Sequence, residues 1–252
     1  MQLFNLAGKT ALVTGGSKGL GKAMARGLAE VGADIVISSR HEEELRPALD
    51  EILKGTGRKG RYVVADMSKR ADVDRLARIA LELTGRIDIL VNNAGTNVPQ
   101  PIDQIRDEDW NQIMDINLNS IMWLSRALVP QMKERRWGRI VHISSVMAFI
   151  SKEGRNVYSA TKSALVGIAR SMALDLGPFG VTVNCIAPGP FLTDLPGRLL
   201  SAEEKEAFAQ TTALNRWGEP KELVGPLLLL ATDAGSYVTG ETIVVDGGYL
   251  CR

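Results

Sequence analysis

The sequence predicts a single doubly wound α/β domain, in which a seven-stranded parallel sheet carries helices on both faces. Short apolar runs rich in β-branched residues alternate with longer amphipathic stretches, which is the order of elements in such a fold. The chain has 252 residues, of which 45% are hydrophobic, and this composition suffices for one large core. No linker, low-complexity segment or internal repeat divides it. We therefore expect residues 1–252 to form one domain.

Seven apolar runs are predicted to be buried strands, because short continuous apolar stretches are typical of a sheet covered on both faces. They span residues 10–14, 35–38, 62–65, 87–91, 139–144, 181–187 and 243–245. The main helical patterns span residues 19–31, 42–54, 72–84, 107–133, 157–176 and 219–231. Right-handed crossovers between parallel strands then place these helices on the two faces of the sheet.

One long irregular segment, residues 188–212, follows the sixth predicted strand and contains Pro188, Pro190 and Pro196. Ligands of open α/β sheets bind beyond the carboxyl ends of the strands. Long irregular segments in such positions are often functional loops. We expect this segment to cover the substrate, with a short charged helix that begins near Ser201.

Composition and charge argue against several classes of protein. Lys and Arg number 30 and Asp and Glu number 29, so no overall field attracts nucleic acid or an anionic membrane. The N-terminal residues lack a basic stretch followed by an apolar core, and no apolar run approaches the ~18 residues that cross a bilayer. Cys185 and Cys251 lack the spacing of a metal site or a disulfide framework. We expect a cytoplasmic protein from a reducing compartment, with no bound metal.

A glycine-rich loop, TGGSKGLGKA, follows the first predicted strand from Thr14 to Ala23. Residues 15–19 match the nucleophile elbow of α/β-hydrolases, but neither His41 nor His142 follows the later strands, where the catalytic base belongs. Residues 16–22 match most of a P-loop, yet Ala23 stands where Ser or Thr binds Mg²⁺. A Rossmann-type dinucleotide loop is the favoured interpretation, because its glycines let backbone N–H groups approach a diphosphate. The predicted contacts are Gly15, Ser17, Lys18, Gly19, Leu20 and Gly21.

The end of the second predicted strand indicates which dinucleotide is bound. The residue that meets the adenosine ribose is expected about 20 positions after the loop. There the chain reads Ser38-Ser39-Arg40, without a carboxylate for a ribose 2′-hydroxyl. Arg40 and Lys18 instead offer two cations for a 2′-phosphate. We therefore expect NADP(H) to be preferred, with NAD(H) possible.

The spacing of Tyr158 and Lys162 indicates acid–base chemistry. On a helix, residues four apart lie on one face, so the phenol and the ammonium are neighbours. An adjacent cation favours the phenolate and lowers the pKa of a tyrosine. The spacing predicts that Tyr158 is a proton donor and acceptor with a lowered pKa.

Taken together, these residues resemble the short-chain dehydrogenase/reductase family, and the resemblance extends from Lys9 to Gly248. It rests on several pieces in the expected order. These are the glycine loop, Asp66 after the third predicted strand, Asn92-Asn93-Ala94-Gly95 after the fourth, Asn117 in the long helix, Ser145, Tyr158, Lys162, Pro188-Gly189 and Thr193.

The resemblance implies interconversion of a secondary alcohol and a ketone with a nicotinamide cofactor. Tyr158 would exchange a proton with the substrate oxygen, and Lys162 would lower its pKa and bind the nicotinamide ribose. Ser145 would donate to the developing oxyanion, and Asn117 would hold a water that relays protons to Lys162. Further cofactor contacts are implied for Asp66, Met67, Asn93, Ala94, Gly95, Pro188, Gly189 and Thr193, beside Tyr158 and Lys162. Ser144 is expected to point away from the site, because side chains alternate along a strand.

Substrate identity is less well determined by the sequence. The predicted substrate contacts are Ser145, Met147, Arg155 and Tyr158, with Asn97, Pro190, Phe191, Leu195 and Arg198 also expected to face the pocket. Arg155 can bind a carboxylate in a bidentate manner, which favours a sugar acid or small polyol over a 3-oxoacyl thioester. A noncatalytic NADP(H)-binding sensor is the alternative of another class. By resemblance, we also expect a homotetramer. The balanced charge and the lack of a long apolar run predict no nucleic-acid partner and no membrane partner.

Overall fold

The structure is a computed structural model that describes residues 2–192 and 201–251. These residues contain a sheet of seven parallel strands, which confirms the predicted fold class. The strands are β1 (Thr10–Thr14), β2 (Asp34–Ser39), β3 (Gly60–Val64), β4 (Ile89–Asn92), β5 (Gly138–Ile143), β6 (Val181–Pro188) and β7 (Thr242–Val245). Their order in the sheet is β3-β2-β1-β4-β5-β6-β7.

Helices connect the strands and cover the sheet. They are α1 (Gly19–Glu30), α2 (Glu42–Leu53), α3 (Arg70–Thr84), α4 (Asp107–Met114), α5 (Ser120–Glu134), α6 (Asn156–Leu176), α7 (Ala202–Ala209) and α8 (Val224–Ala231). Buried residues of α1, α2 and α8 form one apolar cluster with the sheet, and those of α3, α5 and α6 form another. The sheet is therefore buried on both faces, which accounts for its continuously apolar strands. In the part of the chain that the structure describes, no helix is long and apolar enough to cross a membrane.

The predicted helix 107–133 is interrupted in the structure. A π-helical turn, Asp115–Asn119, separates α4 from α5. Such a turn inserts an extra residue into the helical ladder, and the amphipathic pattern of the sequence does not reveal it. The predicted helix 219–231 likewise begins as a 3₁₀ turn, Pro220–Leu223, before α8.

The strand order determines where a ligand can lie. β1 pairs with both β2 and β4, so the connections after β1 and β4 leave the sheet in different directions. This arrangement opens a crevice at the carboxyl ends of the strands. The glycine loop follows β1, and Ser145 lies two residues after β5 at the same edge of the sheet.

Candidate active site

The glycine loop is held in place by the loop that follows β4. The Asn93 side-chain amide donates to the carbonyl oxygens of Thr14 and Gly15 at 2.9 and 3.2 Å. The Thr14 hydroxyl accepts from the backbone N–H groups of Asn93 and Ala94, both at 3.0 Å. Gly15 has a φ of +64°, and a Cβ at Gly21 would lie 2.2 Å from the Gly15 oxygen. Both positions therefore require glycine, and the two loops form one rigid unit.

The amino terminus of α1 fits a diphosphate. Lys18 is the N-cap residue, but its side chain makes no capping hydrogen bond, and the first turn carries no acidic residue. The first backbone N–H groups of a helix have no partner within it, and the helix dipole favours an anion there. Gly19 and Gly21 add no Cβ that would keep a phosphate away, while Leu20 packs against the core. These residues suit a phosphate-bearing ligand.

Ser17 and Lys18 are brought together by Glu44 of α2. The Ser17 hydroxyl donates to one Glu44 carboxylate oxygen at 3.0 Å, and the Lys18 ammonium lies 3.1 Å from the other. Burial acts to raise the pKa of Glu44, but the hydrogen bonds from Lys18 and Ser17 outweigh it and the net pKa is lowered. Lys18 is thus already paired with a carboxylate, and its charge is only partly free for a ligand phosphate.

Arg40 and Asp66 flank the same end of the crevice. The Gly16 N–H donates to the Ser38 carbonyl at 3.1 Å, which joins the glycine loop to the end of β2, and exposed Arg40 follows two residues later. The Asp66 carboxylate accepts from the backbone N–H and the hydroxyl of Ser68 at 3.0 and 2.8 Å, so it caps the turn before α3. The Met67 side chain is buried in the core on the α3 face.

Tyr158, Ser145 and Lys162 meet at the carboxyl end of β5. The Ser145 hydroxyl hydrogen-bonds the Tyr158 phenol and also accepts from the Met147 N–H at 3.1 Å. The Lys162 ammonium lies 5.5 Å from the centroid of the Tyr158 ring and donates to the Ile143 carbonyl at 2.8 Å. The three side chains predicted to act together are therefore neighbours.

The pKa of Tyr158 is raised, so the predicted lowering is wrong for this structure. Burial is the largest cause, and the Ser145 hydrogen bond and the charge of Arg155 only partly oppose it. Burial also lowers the pKa of Lys162, to about 8. Both shifts have the same origin, because removal of water disfavours the charged form of either group. The one-turn spacing predicted the contact but not the degree of burial.

Asn117 lies in the π-helical turn, and its side chain makes three hydrogen bonds with protein groups. Its amide oxygen accepts from the Thr96 N–H at 2.8 Å, and its amide nitrogen donates to the Thr96 carbonyl at 2.9 Å and to the Thr161 hydroxyl at 3.2 Å. A Cβ at Gly95 would lie 3.5 Å from both the Asn117 amide oxygen and the Lys162 ammonium. Asn117 thus ties the loop after β4 to α6. Its amide oxygen accepts one hydrogen bond and can accept a second, so the water that Asn117 is predicted to hold stays a prediction.

The predicted substrate residues are less closely grouped. Half-buried Arg155 caps α6, where its charge acts on the Tyr158 phenol. The buried amide oxygen of Asn97 has no hydrogen-bond partner among the described residues. Phe191 was predicted to face the pocket, but its ring packs in the core, against the backbone of Gly218. Met147 and Pro190 are half-buried.

The loop after β6 begins at Gly189 and passes close to the turn after β7. The Gly189 N–H donates to the Val245 carbonyl at 2.9 Å, and a Cβ at Gly189 would lie 2.6 Å from the Asp246 Cβ. Only glycine permits this approach. The predicted contacts Thr193, Leu195 and Arg198 lie outside the described residues.

Sequence reasoning missed the two residues that fasten the cofactor side, Thr14 and Glu44. Glu44 lies 26 positions from Lys18, so no local pattern links them.

Ser144 and His142 are occupied away from the Tyr158 phenol. The Ser144 hydroxyl donates to the Lys162 carbonyl at 2.8 Å, as the prediction that this side chain points away from the site requires. His142 is buried in the core, where its Nδ1 lies 3.0 Å from the Asn92 amide nitrogen, and burial lowers its pKa to about 4.

Known proteins resemble this chain over its whole length. Residues 9–204 match the family model described as short chain dehydrogenase. The chain belongs to the short-chain dehydrogenase family. Gluconate 5-dehydrogenase of Gluconobacter oxydans is 38% identical over 248 residues, which cover 98% of this chain and 96% of the relative. This short-chain dehydrogenase is accordingly an oxidoreductase.

Two solved structures extend the comparison. A 3-oxoacyl (acyl-carrier-protein) reductase from Agrobacterium tumefaciens, with NADP bound, is 33% identical, with a TM-score of 0.94 and coverage of 98% of this chain and 96% of that one. A gluconate 5-dehydrogenase from Burkholderia cenocepacia, in complex with NADP and tartrate, is 34% identical, with a TM-score of 0.92 and coverage of 99% and 98%. The short-chain dehydrogenase described here therefore shares its fold with members of both named activities.

Proposed function

We propose that this short-chain dehydrogenase is an NADP(H)-preferring oxidoreductase that interconverts a secondary alcohol and a ketone. The observation that carries the proposal is the meeting of Tyr158, Ser145 and Lys162 at the carboxyl end of β5. They adjoin Gly95, which lies in the loop after β4. The same loop contains Asn93, whose side chain fastens the glycine loop. Groups for proton transfer thus lie next to a crevice that suits a dinucleotide.

Each side chain has a role that its chemistry permits. The bound nicotinamide ring supplies or accepts the hydride at the carbinol carbon. The Tyr158 phenol, kept neutral by its raised pKa, donates its proton to the substrate oxygen during reduction and takes it back during oxidation. The Ser145 hydroxyl hydrogen-bonds the same oxygen and stabilises its developing charge. The Lys162 ammonium stabilises the phenolate that remains after proton donation, and Asn117 positions the loop beside it.

NADP(H) is the proposed cofactor because Arg40 is exposed beside the glycine loop and the described end of β2 offers no carboxylate. Both solved relatives described above contain NADP. Gly15, Gly19 and Gly21 are proposed to hold the diphosphate, and Asn93, Ala94, Pro188 and Gly189 to border the nicotinamide half. Asp66 and the main chain at Met67 are proposed to meet the adenine, with Ser17 and Lys18 at the phosphates.

The substrate is proposed to be a sugar acid or polyol, with a 3-oxoacyl thioester as the alternative. The half-buried Arg155 cation beside Tyr158 favours an anionic substrate. The relatives named as gluconate 5-dehydrogenases support the same choice, whereas the relative named as a reductase of acyl-carrier-protein substrates supports the alternative. Oxidation of NADPH with 5-ketogluconate and with an acetoacetyl thioester, compared by kcat/KM, distinguishes them.

The variant Tyr158→Phe tests the reaction, because it removes only the hydroxyl that carries the proton. We expect kcat to fall by about 10²–10⁴-fold, the range of general acid–base catalysis, with unchanged affinity for NADPH in a fluorescence titration. Tyr237→Phe is the matched control, because that side chain is fully exposed. Retained turnover in Tyr158→Phe overturns the assignment. NADPH binding without turnover on any carbonyl favours a noncatalytic sensor.

A cytoplasmic homotetramer is also proposed. Large apolar side chains remain exposed on α6 and in β7, among them Leu174 and Val244. Exposed apolar surface of this kind is available for subunit contacts. Light scattering after size exclusion measures the assembly directly, and a monomeric mass contradicts it.

A further inference from the structure

A lysine and three aromatic rings connect four separate segments beside the candidate active site. The Lys152 ammonium lies 4.3 Å from the centroid of the Phe208 ring and 5.4 Å from that of Tyr249. These two rings are nearly parallel, with an angle of 3° and centroids 6.5 Å apart. The Trp217 ring stacks on Phe208 at 4.8 Å. We call these four side chains the Lys152 cluster.

The Lys152 cluster lies at the substrate side of the crevice. Lys152 precedes α6, and its carbonyl accepts from the Arg155 N–H at 3.1 Å, three residues before Tyr158. The neighbouring Ser151 hydroxyl lies 2.8 Å from that of Ser159, in the first turn of α6. Tyr249 follows β7, and its N–H donates to the Asp246 carbonyl. Asp246 in turn packs against Gly189 at the end of β6. The cluster thus adjoins the carboxyl ends of β5, β6 and β7.

Phe208 joins α7 to two other described segments through its ring contacts with Trp217 and Tyr249. Ala209 is the buried residue of this helix, and most of its other side chains are exposed. The Trp217 indole donates to the Lys205 carbonyl at 2.8 Å, which adds one hydrogen bond. Phe208 thus connects α7 to the C-terminal turn through Tyr249, and Lys152 bridges the two rings. No carboxylate among the described residues forms an ion pair with Lys152, so the ring faces are its partners.

We propose that Lys152 is a positioning residue that holds α7 and the C-terminal turn as the wall of the substrate side of the site. Attraction between the ammonium and the faces of Phe208 and Tyr249 keeps both rings in one orientation relative to the first turn of α6. Loss of the charge weakens the attachment of α7 to the first turn of α6. The substrate then binds beside a less ordered helix. The effect on KM, but not that on α7, rests on the proposed function.

The test compares Lys152→Met, which keeps the aliphatic stem but removes the charge, with Lys152→Arg, which keeps a cation for the rings. Lys133→Met is the matched control. The Lys133 ammonium lies 4.0 Å from the centroid of the Phe179 ring and forms an equivalent cation–π pair. This pair lies near the start of β6, at the amino-terminal ends of the strands and away from the crevice. Hydrogen exchange of residues 201–211 is measured without cofactor or substrate. KM and kcat are measured for the best carbonyl substrate.

In Lys152→Met we expect exchange in α7 to accelerate by about two- to fivefold, the effect of losing an exposed cation–π pair. KM for the carbonyl substrate rises by a similar factor, while kcat and KM for NADPH remain unchanged. Lys152→Arg restores both values, and Lys133→Met changes neither. Unchanged exchange in α7, or faster exchange with unchanged KM, overturns the proposal. If the unaltered enzyme shows no turnover, that result counts against the proposed function. It leaves the exchange result unaffected, because hydrogen exchange is measured without cofactor or substrate.

Discussion

The two sides of the crevice are built differently. On the nucleotide side, the Asn93 amide and the Thr14 hydroxyl bind backbone groups of adjoining loops, and glycines allow close approach of the chain. On the substrate side, the ammonium of Lys162 is buried, and the Asn97 amide oxygen lacks a partner among the described residues. Hydrogen bonds between side chains and the main chain therefore order the first side, whereas the second contains groups whose burial is unfavourable until a ligand binds.

This difference suggests that stability and specificity are separated in space. A loop whose main chain is fixed by neighbouring side chains can bind the part of the ligand that is common to many reactions. Side chains that project from distant segments, as in the Lys152 cluster, can vary without disturbing it. Three predictions examine this separation.

The largest expected effect concerns Lys162→Met and the free energy of unfolding. Burial lowers the pKa of Lys162 from 10.5 to about 8, so the folded protein releases this proton at lower pH than the unfolded chain. Between those values the unfolded chain binds more protons, and the contribution of Lys162 to the free energy of unfolding rises with pH. At 1.36 kcal/mol per pKa unit, the change amounts to about 3 kcal/mol at most.

Urea unfolding at pH 7.5 and pH 10 measures this effect as the difference between the unaltered enzyme and Lys162→Met. The unaltered enzyme gains stability relative to the variant as pH rises. The pKa of neighbouring Cys185 is raised from 9.0 to about 12, so its own contribution to stability falls as pH rises, but both proteins contain this thiol and the contribution cancels in their difference. Lys54→Met removes an exposed lysine and serves as the control. A difference that does not change with pH would show that Lys162 is not a costly buried cation.

On the nucleotide side, Gly21→Ala is expected to weaken NADPH binding by about 10–100-fold. The added Cβ would lie 2.2 Å from the Gly15 oxygen and 2.5 Å from the Asn93 amide nitrogen, so the glycine loop must shift. Overpacking of this kind costs about 1–3 kcal/mol. Gly225→Ala is the control, because a Cβ there meets no atom within 4 Å. Calorimetric titration measures both variants, and equal affinities contradict a rigid loop.

The smallest effect is expected for the choice between cofactors. Arg40→Met should lower the ratio of kcat/KM for NADPH to that for NADH by about tenfold, since a charge-assisted hydrogen bond contributes about 1.5–3 kcal/mol. Lys18→Met should lower it less, because Glu44 lies 3.1 Å from the Lys18 ammonium. Steady-state kinetics with both cofactors measure the ratio. A larger loss in Lys18→Met than in Arg40→Met reverses the proposed assignment.

Much of the fold followed from local sequence patterns. Every predicted strand exists, and β1 has the predicted bounds, because continuous apolar runs of this kind are buried on both faces. The contact between Tyr158 and Lys162 also follows from helical spacing. The assignments of Phe191 to the pocket and of residues 107–133 to one helix were wrong. Phe191 packs in the core beside Gly218, and the π-helical turn gives Asn117 its contacts with Thr96.

The sequence by itself determined the succession of strands and helices along the chain, the glycine positions and the choice of the proposed acid–base groups, because each depends on residues within one or two turns or one strand. The tertiary structure alone decided that Glu44 pairs with Lys18, that the pKa of Tyr158 is raised, and that Lys152 contacts Phe208 and Tyr249. These features depend on burial and on contacts between distant segments. Burial and these contacts exist only when the whole sheet has assembled.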